Sequence, residues 1–204
     1  TAYIVMEFVE GETLKARLTR TGPLPWSQAK TIFQPAIHAM AQVHKAGLVH
    51  RDISPDNLML TPEGDVRVLD LGAAKDLSLN SGASSMQVAK GGFSPLEQYI
   101  QRGNSGPWTD VYAMGATIYY TLTGKLPPSA VDRLNEDTIS WKEPGLSALS
   151  PAALAVLQKA MAVQASNRIQ SMEELERGLF SAAAAKPANS NSPAKGALAN
   201  WNWK

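Results

Sequence analysis

The stretch His50-Arg51-Asp52-Ile53-Ser54-Pro55-Asp56-Asn57-Leu58-Met59-Leu60 decides how the rest of the chain is read. It gathers a carboxylate, a hydroxyl and an amide in a short polar loop and then turns apolar. Leu58 to Leu60 and Val66 to Leu69 are two apolar runs joined by Thr61-Pro62-Glu63-Gly64-Asp65, the pattern of a β-hairpin. Asp70 stands at its far end. Asn57 follows Asp52 by five positions and Asp70 follows Asn57 by thirteen, so a loop and a strand end can present all three groups to one cleft. Phosphoryl transfer needs such a set: a carboxylate to orient and deprotonate the attacking hydroxyl, and oxygen ligands to hold Mg²⁺ against nucleotide phosphates. His-Arg-Asp alone is a weak signal. Joined to an Asn at this offset and an Asp-Leu-Gly after the hairpin, it is strong.

Upstream, Tyr3 to Phe8 is a short run of strand formers closed by Glu10-Gly11, with a polar helix expected from about Glu12 to Thr19. From Ser27 to Lys45 the apolar residues Ile32, Ala36, Ala39, Met40 and Val43 recur at helical spacing, and Gly47 supplies a left-handed stop. Pro35 lies inside this helix, where packing must compensate or the axis must kink. His38 and His44 have no metal partner at suitable spacing and read as surface or satisfied histidines. Downstream, Ala73 to Gly92 is small, polar and aperiodic, a long functional loop. Thr109 to Thr123 is apolar nearly all round, as a central buried helix must be. Ser150-Pro151 opens a helix to about Ala162, and Ser171-Met172-Glu173-Glu174 reads as a capping box for another ending near Phe180. The remainder, 181–204, is rich in Ala, Ser, Asn and Pro and reads as a disordered linker carrying Trp201 and Trp203.

Composition narrows the function. Nineteen Lys and Arg against eighteen Asp and Glu give a formal charge of +1, so no strong field points to nucleic acid as a partner. The chain has no cysteine, which excludes disulfides and Cys-ligated zinc. No stretch approaches the roughly 20 apolar residues of a membrane helix, so membrane contact is expected only through a segment outside these residues. The expected compartment is the cytoplasm, as a free protein or as the cytoplasmic part of a larger or anchored one.

With these motifs in place, the chain from Thr1 to about Phe180 resembles a bacterial serine/threonine protein kinase. Tyr3 to Gly11 is similar to the strand and hinge that close the adenine pocket, His50-Arg51-Asp52 with Asn57 to the catalytic loop, and Asp70-Leu71-Gly72 to the magnesium motif, with Leu for the usual Phe. Ser94-Pro95-Leu96-Glu97 is similar to the Ala-Pro-Glu signature, and Asp110 to Gly115 to the central helix; Arg168 stands where the family pairs an arginine with that glutamate. The resemblance implies a mainly α fold: the helical C-terminal lobe with short β-hairpins, over residues 1–180. It implies Asp52 as base, Asn57 and Asp70 as Mg²⁺ ligands, and Asp110 as anchor of the catalytic loop. Glu7 and Val9 would bind adenine through the backbone, with Met6 as gatekeeper and Met59 as floor of the pocket. ATP and Mg²⁺ are the implied cofactors, and proteins with Ser/Thr acceptors the implied partners.

Two departures from the family matter. The Gly-rich loop, the strand lysine and its glutamate partner have no counterpart in these residues, so the smaller sheet lobe is expected to lie outside them and the chain by itself to be inactive. Within the catalytic loop, Ser54 stands where most members carry a lysine, and Lys90 stands where they carry a threonine before the Pro-Glu signature. The two roles are expected to have changed places, with Lys90 reaching the γ-phosphate from the loop and Ser54 supplying the hydrogen bond. A phosphoserine at Ser84 or Ser85, gripped by Arg51, is a further expectation. The alternatives are a pseudokinase that binds nucleotide or a partner without catalysis, for which Ser54 argues, and a small-molecule phosphotransferase of related fold, against which the Pro-Leu-Glu signature and its arginine argue.

Overall fold

A computed structural model describes residues 7–70, 75–76, 89–100 and 103–181. The architecture is helical with small antiparallel ribbons. In chain order it runs β1 (Glu12–Thr13), α1 (Leu14–Thr21), α2 (Trp26–Lys45), β2 (Leu48–Val49), β3 (Leu58–Leu60), β4 (Val66–Val68), β5 (Lys75–Asp76), α3 (Pro107–Thr123), α4 (Asp132–Asn135), α5 (Pro151–Ala160) and α6 (Met172–Phe180). The fold class expected from the sequence is the one found.

The core forms around α3. Its residues from Thr109 to Tyr119 are all buried, as the absence of a polar stripe in the sequence requires. Pro107 occupies its first turn, and Gly124, at φ 69°, ends it in the left-handed conformation. The helix starts two residues before Thr109, because Thr109 serves inside the first turn: its Oγ1 accepts from the Gly106 N–H at 3.2 Å. Helix α2 lays Phe33, Ala36, Ile37 and Met40 on this core. Ala39, expected to face inward, is exposed, and Ile37 and Ala41 take the inward positions instead. Pro35 lies on the exposed face of an unbroken α2, where water can serve the carbonyl that lost its donor.

Helices α5 and α6 close the base, packing on each other and on α3, while α6 also runs along α2. Trp26 at the start of α2 stacks on Phe180 at the end of α6, centroids 5.6 Å apart and planes 3° from parallel. Helices α5 and α6 carry the serine caps read from the sequence: Ser150 Oγ accepts from Ala153 N–H and Ser171 Oγ from Glu174 N–H, each at 3.2 Å. The capping box of α6 is only half made, since Glu174 reaches Lys159 Nζ at 3.3 Å and the Gln170 N–H at 3.5 Å.

The hairpin β3–β4 forms in the register Leu58↔Val68, Met59↔Arg67, Leu60↔Val66, and β1 pairs β3 on its other edge. Glu12 and Thr13, read as helical, are that edge strand. Thr13 then caps α1 by accepting from Ala16 N–H at 3.1 Å. Gly11, at φ 145°, passes so close to the Leu60 carbonyl that a side chain there would collide with it. The stretch read as an aperiodic loop contains β5, which pairs β2 in the register Leu48↔Asp76, Val49↔Lys75. The expected strand core at Tyr3, the gatekeeper Met6, Ser84 and Ser85, and the tail 182–204 lie outside the described residues. Among the described residues no helix is long and apolar enough to cross a membrane.

Candidate active site

The site is assembled where β2 ends, and its anchor is a buried carboxylate. Asp110, in the first turn of α3 and fully buried, accepts from the backbone N–H of His50 through Oδ2 and of Arg51 through Oδ1, both at 2.8 Å. His44 from α2 meets the same Oδ2 through Nε2 at 2.8 Å, which places its ring proton on that nitrogen. A carboxylate with several N–H donors is the arrangement in which burial of a charge is tolerated. It forces the chain into an unusual turn: Arg51 has φ 71°, a conformation rare outside glycine. The Gln98 side chain donates to the Arg51 carbonyl at 2.6 Å and secures that turn from the other side.

His50 is fully buried. Its Nε2–H donates to the Leu69 carbonyl at 2.9 Å and its Nδ1 accepts from the Asp52 N–H at 3.3 Å, which fixes the orientation of the ring. It thereby ties the loop to the strand end that carries Asp70. A second tie runs from the Leu69 N–H to the Asn57 carbonyl at 2.8 Å. Asp70 follows directly with φ 63°, turned out of the strand by a left-handed residue.

Asn57 sits at the end of a one-turn helix, Pro55–Asn57. Its Nδ2 donates to the Asp52 carbonyl at 2.7 Å and to Asp52 Oδ2 at 2.9 Å. The amide oxygen takes no part in these two bonds. An amide oxygen and the carboxylate of Asp70 are hard donors, the kind that suits Mg²⁺ better than softer metals. Among the described residues no cluster of three or more His, Asp or Glu could hold a metal unaided.

Lys90 enters from the opposite side. Its backbone is pinned in a tight turn: its N–H donates to Ser94 Oγ at 2.9 Å, and its carbonyl accepts from Phe93 and Ser94 at 3.0 and 2.9 Å. Gly92 within this turn has φ 79°, and a side chain on it would meet the Pro127 carbonyl at 2.7 Å. From this base the Lys90 ammonium donates to the Ser54 hydroxyl at 2.9 Å, lies 3.1 Å from Asp56 Oδ2 and 4.0 Å from Asp52 Oδ1. Ser54 is fully buried, whereas Lys90 stays about a third exposed at 37%.

Behind the site, Glu97 and Arg168 make a two-pronged ion pair at 2.7 and 3.3 Å, with Thr109 Oγ1 donating to Glu97 Oε1 at 3.0 Å. The Arg168 guanidinium also donates to the carbonyls of Trp108, Ala162 and Val163 and lies 5.0 Å over the Tyr112 ring. Burial pushes the Tyr112 phenol up despite the nearby cations, so it stays a neutral partner of Arg133.

Of the residues singled out by sequence, Asp52, Ser54, Asn57 and Lys90 are brought together by direct contacts, and Asp70 follows Leu69, whose backbone is tied to the same loop. Met59 lies on β3 between Thr13 and Arg67, partly buried. Glu7 is exposed and Val9 partly buried in the extended segment before β1. Sequence reading missed Asp56, the ring of His50 and Gln98. Only Asp56 left a trace, as a charge two positions after Ser54.

Comparison with known proteins agrees with this geometry. The family model described as "Protein kinase domain" matches residues 1–180. Serine/threonine-protein kinase F of Synechocystis sp. is 34% identical over 177 residues, covering 85% of this chain and 35% of its own length. Serine/threonine-protein kinase PknL of Mycobacterium tuberculosis is 34% identical over 125 residues, 61% of this chain and 31% of its own. Serine/threonine-protein kinase PknB of Mycobacterium leprae is 32% identical over 195 residues, 91% of this chain and 31% of its own. The chain thus spans about a third of the length of these curated relatives. With the match running through the Asp52 loop and the Glu97–Arg168 pair, the chain belongs to the protein kinase domain family.

Proposed function

We propose that the full gene product carrying these residues transfers the γ-phosphoryl group of ATP to serine and threonine hydroxyls of proteins. The observation that carries this reading is the cluster at the loop: Asp52 held by Asn57 at 2.9 Å, with the Lys90 ammonium 4.0 Å from Asp52 and 2.9 Å from Ser54. It combines a fixed base with a cation poised beside it, the two needs of phosphoryl transfer.

In this mechanism the acceptor hydroxyl approaches Asp52. As its oxygen bonds to the γ-phosphorus and the bond to the β-bridging oxygen breaks, the hydroxyl proton passes to the Asp52 carboxylate and ADP leaves. Asn57 keeps the carboxylate turned toward the acceptor. Lys90 supports the negative charge on the transferring group, the task more often given to a lysine at position 54. Ser54 accepts one of its hydrogen bonds and fixes its direction. Bound Mg²⁺ would neutralise phosphate charge, and the Asn57 amide oxygen and Asp70 carboxylate are the residues that would hold it. The backbone of Glu7 and Val9 would take the adenine edge, over Met59. Use of ATP implies the cytoplasmic side of any membrane.

A second reading, a nucleotide- or partner-binding module without catalysis, is favoured by one observation: Ser54 is uncharged and buried where a cation is usual. Incubating the purified full gene product with γ-labelled ATP and a general protein substrate separates the two. The proposal expects labelled phosphoserine or phosphothreonine, lost on Asp52→Asn. Nucleotide binding without transfer contradicts it and supports the second reading.

A further inference from the structure

We infer that Asp56 is a positioning residue for Lys90, holding the ammonium at the edge of the Asp52 carboxylate; the inference rests on Lys90 being the phosphate-facing cation. Asp56 takes no part in the phosphoryl-transfer steps of the proposed function. Lys90 carries its charge at the end of a flexible four-carbon stem that gives up its rotamer freedom when the tip is fixed. Its backbone is secured by the Ser94 turn, but that fixes only the root of the side chain. Two contacts fix the tip: Ser54 Oγ at 2.9 Å and Asp56 Oδ2 at 3.1 Å.

The two contacts differ in kind. Ser54 is neutral and fully buried, so it sets direction without balancing charge. Asp56 is an anion on the one-turn helix Pro55–Asn57, one residue before Asn57. Its carboxylate is half-exposed at 50%, so it balances the ammonium without the heavy desolvation of a buried pair. Lys90 stands closer to Asp56, at 3.1 Å, than to Asp52, at 4.0 Å. This ordering has a chemical consequence. An ammonium paired tightly with Asp52 would hold the base in place and block the acceptor hydroxyl. Drawn toward Asp56, it leaves Asp52 open and remains beside it. The Pro55–Asn57 turn therefore carries both devices at adjacent positions: Asn57 orients the base and Asp56 orients the cation.

The test is a mutant cycle in the full gene product, with steady-state transfer from ATP to a Ser/Thr peptide as one readout. Asp56→Asn is expected to lower kcat by about ten- to a hundred-fold, the scale of a misplaced reacting group, with KM for peptide little changed. Asp56→Glu should restore part of the loss. In a Lys90→Ala background, Asp56→Asn should cost nothing further, because the residue it serves is gone. A second readout needs no activity. Acylation of Lys90 by an amine-reactive ester, followed by mass spectrometry, should speed up in Asp56→Asn, where the amine has lost its carboxylate. If Lys90→Ala is costly while Asp56→Asn leaves both rate and labelling unchanged, the inference is overturned and the Lys90 reading stands. If Lys90→Ala is fully active, the Lys90 reading falls and takes the inference with it. If Asp56→Asn costs as much with Lys90 absent as with it present, Asp56 acts on something else and the inference is overturned.

Discussion

Asp110 concentrates more of the site's geometry than any residue that would touch substrate. Its carboxylate takes the N–H groups of His50 and Arg51 and the ring of His44, all at 2.8 Å. Asp110→Asn keeps the shape but turns an NH₂ toward at least one of these donors. Hydrogen bonds to charged groups are worth about 1.5–3 kcal/mol, so urea unfolding should show a loss of that size, with the Arg51 turn and Asp52 displaced as well. A loss below about 0.5 kcal/mol, the scale of an ordinary surface substitution, would show that the loop holds its shape without this anchor. The sequence made Asp110 readable as a helix-start residue and, through the family pattern, as an anchor. It could not reveal His44 as the third donor, because a histidine on a helix carries no mark of what its ring meets sixty-six positions away. Lys90 was found by counting back along a motif. Asp56 was not, since nothing in a charged turn residue says which cation will fold against it.

At the scale of elements, the turn 90–94 is what aims Lys90. Gly92 in that turn combines φ 79° with crowded surroundings: a side chain on it would meet the Pro127 carbonyl at 2.7 Å and the Leu126 side chain at 2.8 Å. Gly92→Ala faces both a strained backbone, about 1–3 kcal/mol for a non-glycine residue held in such a region, and a steric clash. The turn rather than the core should give way. Calorimetry should therefore show a modest drop in stability, while kcat of the full gene product falls at least tenfold. Equal activity with unchanged stability would mean that the turn does not aim Lys90. The long helices were legible because their periodicity and caps repeat one message over several turns. Strands β1 and β5 were not: two residues hold no period, and each exists only because a partner, β3 or β2, lies alongside. Ala39 was misread for a related reason, since a small apolar residue next to the buried stripe fits either face.

For the whole molecule, the Glu97–Arg168 pair ties the segment carrying Lys90 to the distal end of the fold. Arg168 has no exposed side-chain surface and Glu97 only 10%. Removing the cation leaves a nearly buried carboxylate and several carbonyls without donors, so Arg168→Ala should cost about 3–5 kcal/mol in denaturant unfolding. A cost under 1 kcal/mol would place the pair among those that contribute little. The central claim is that Lys90 and Ser54 have exchanged the roles of phosphate cation and hydrogen-bonding hydroxyl. It is tested most directly by single-turnover transfer from ATP in the full gene product, comparing Lys90→Ala with the double exchange Ser54→Lys/Lys90→Thr. The account expects Lys90→Ala to lose about a hundred- to a thousand-fold, the scale of a removed electrostatic donor, and the double exchange to recover at least tenfold of that loss. A Lys90→Ala protein as fast as the original, or a double exchange no faster than Lys90→Ala, would contradict it.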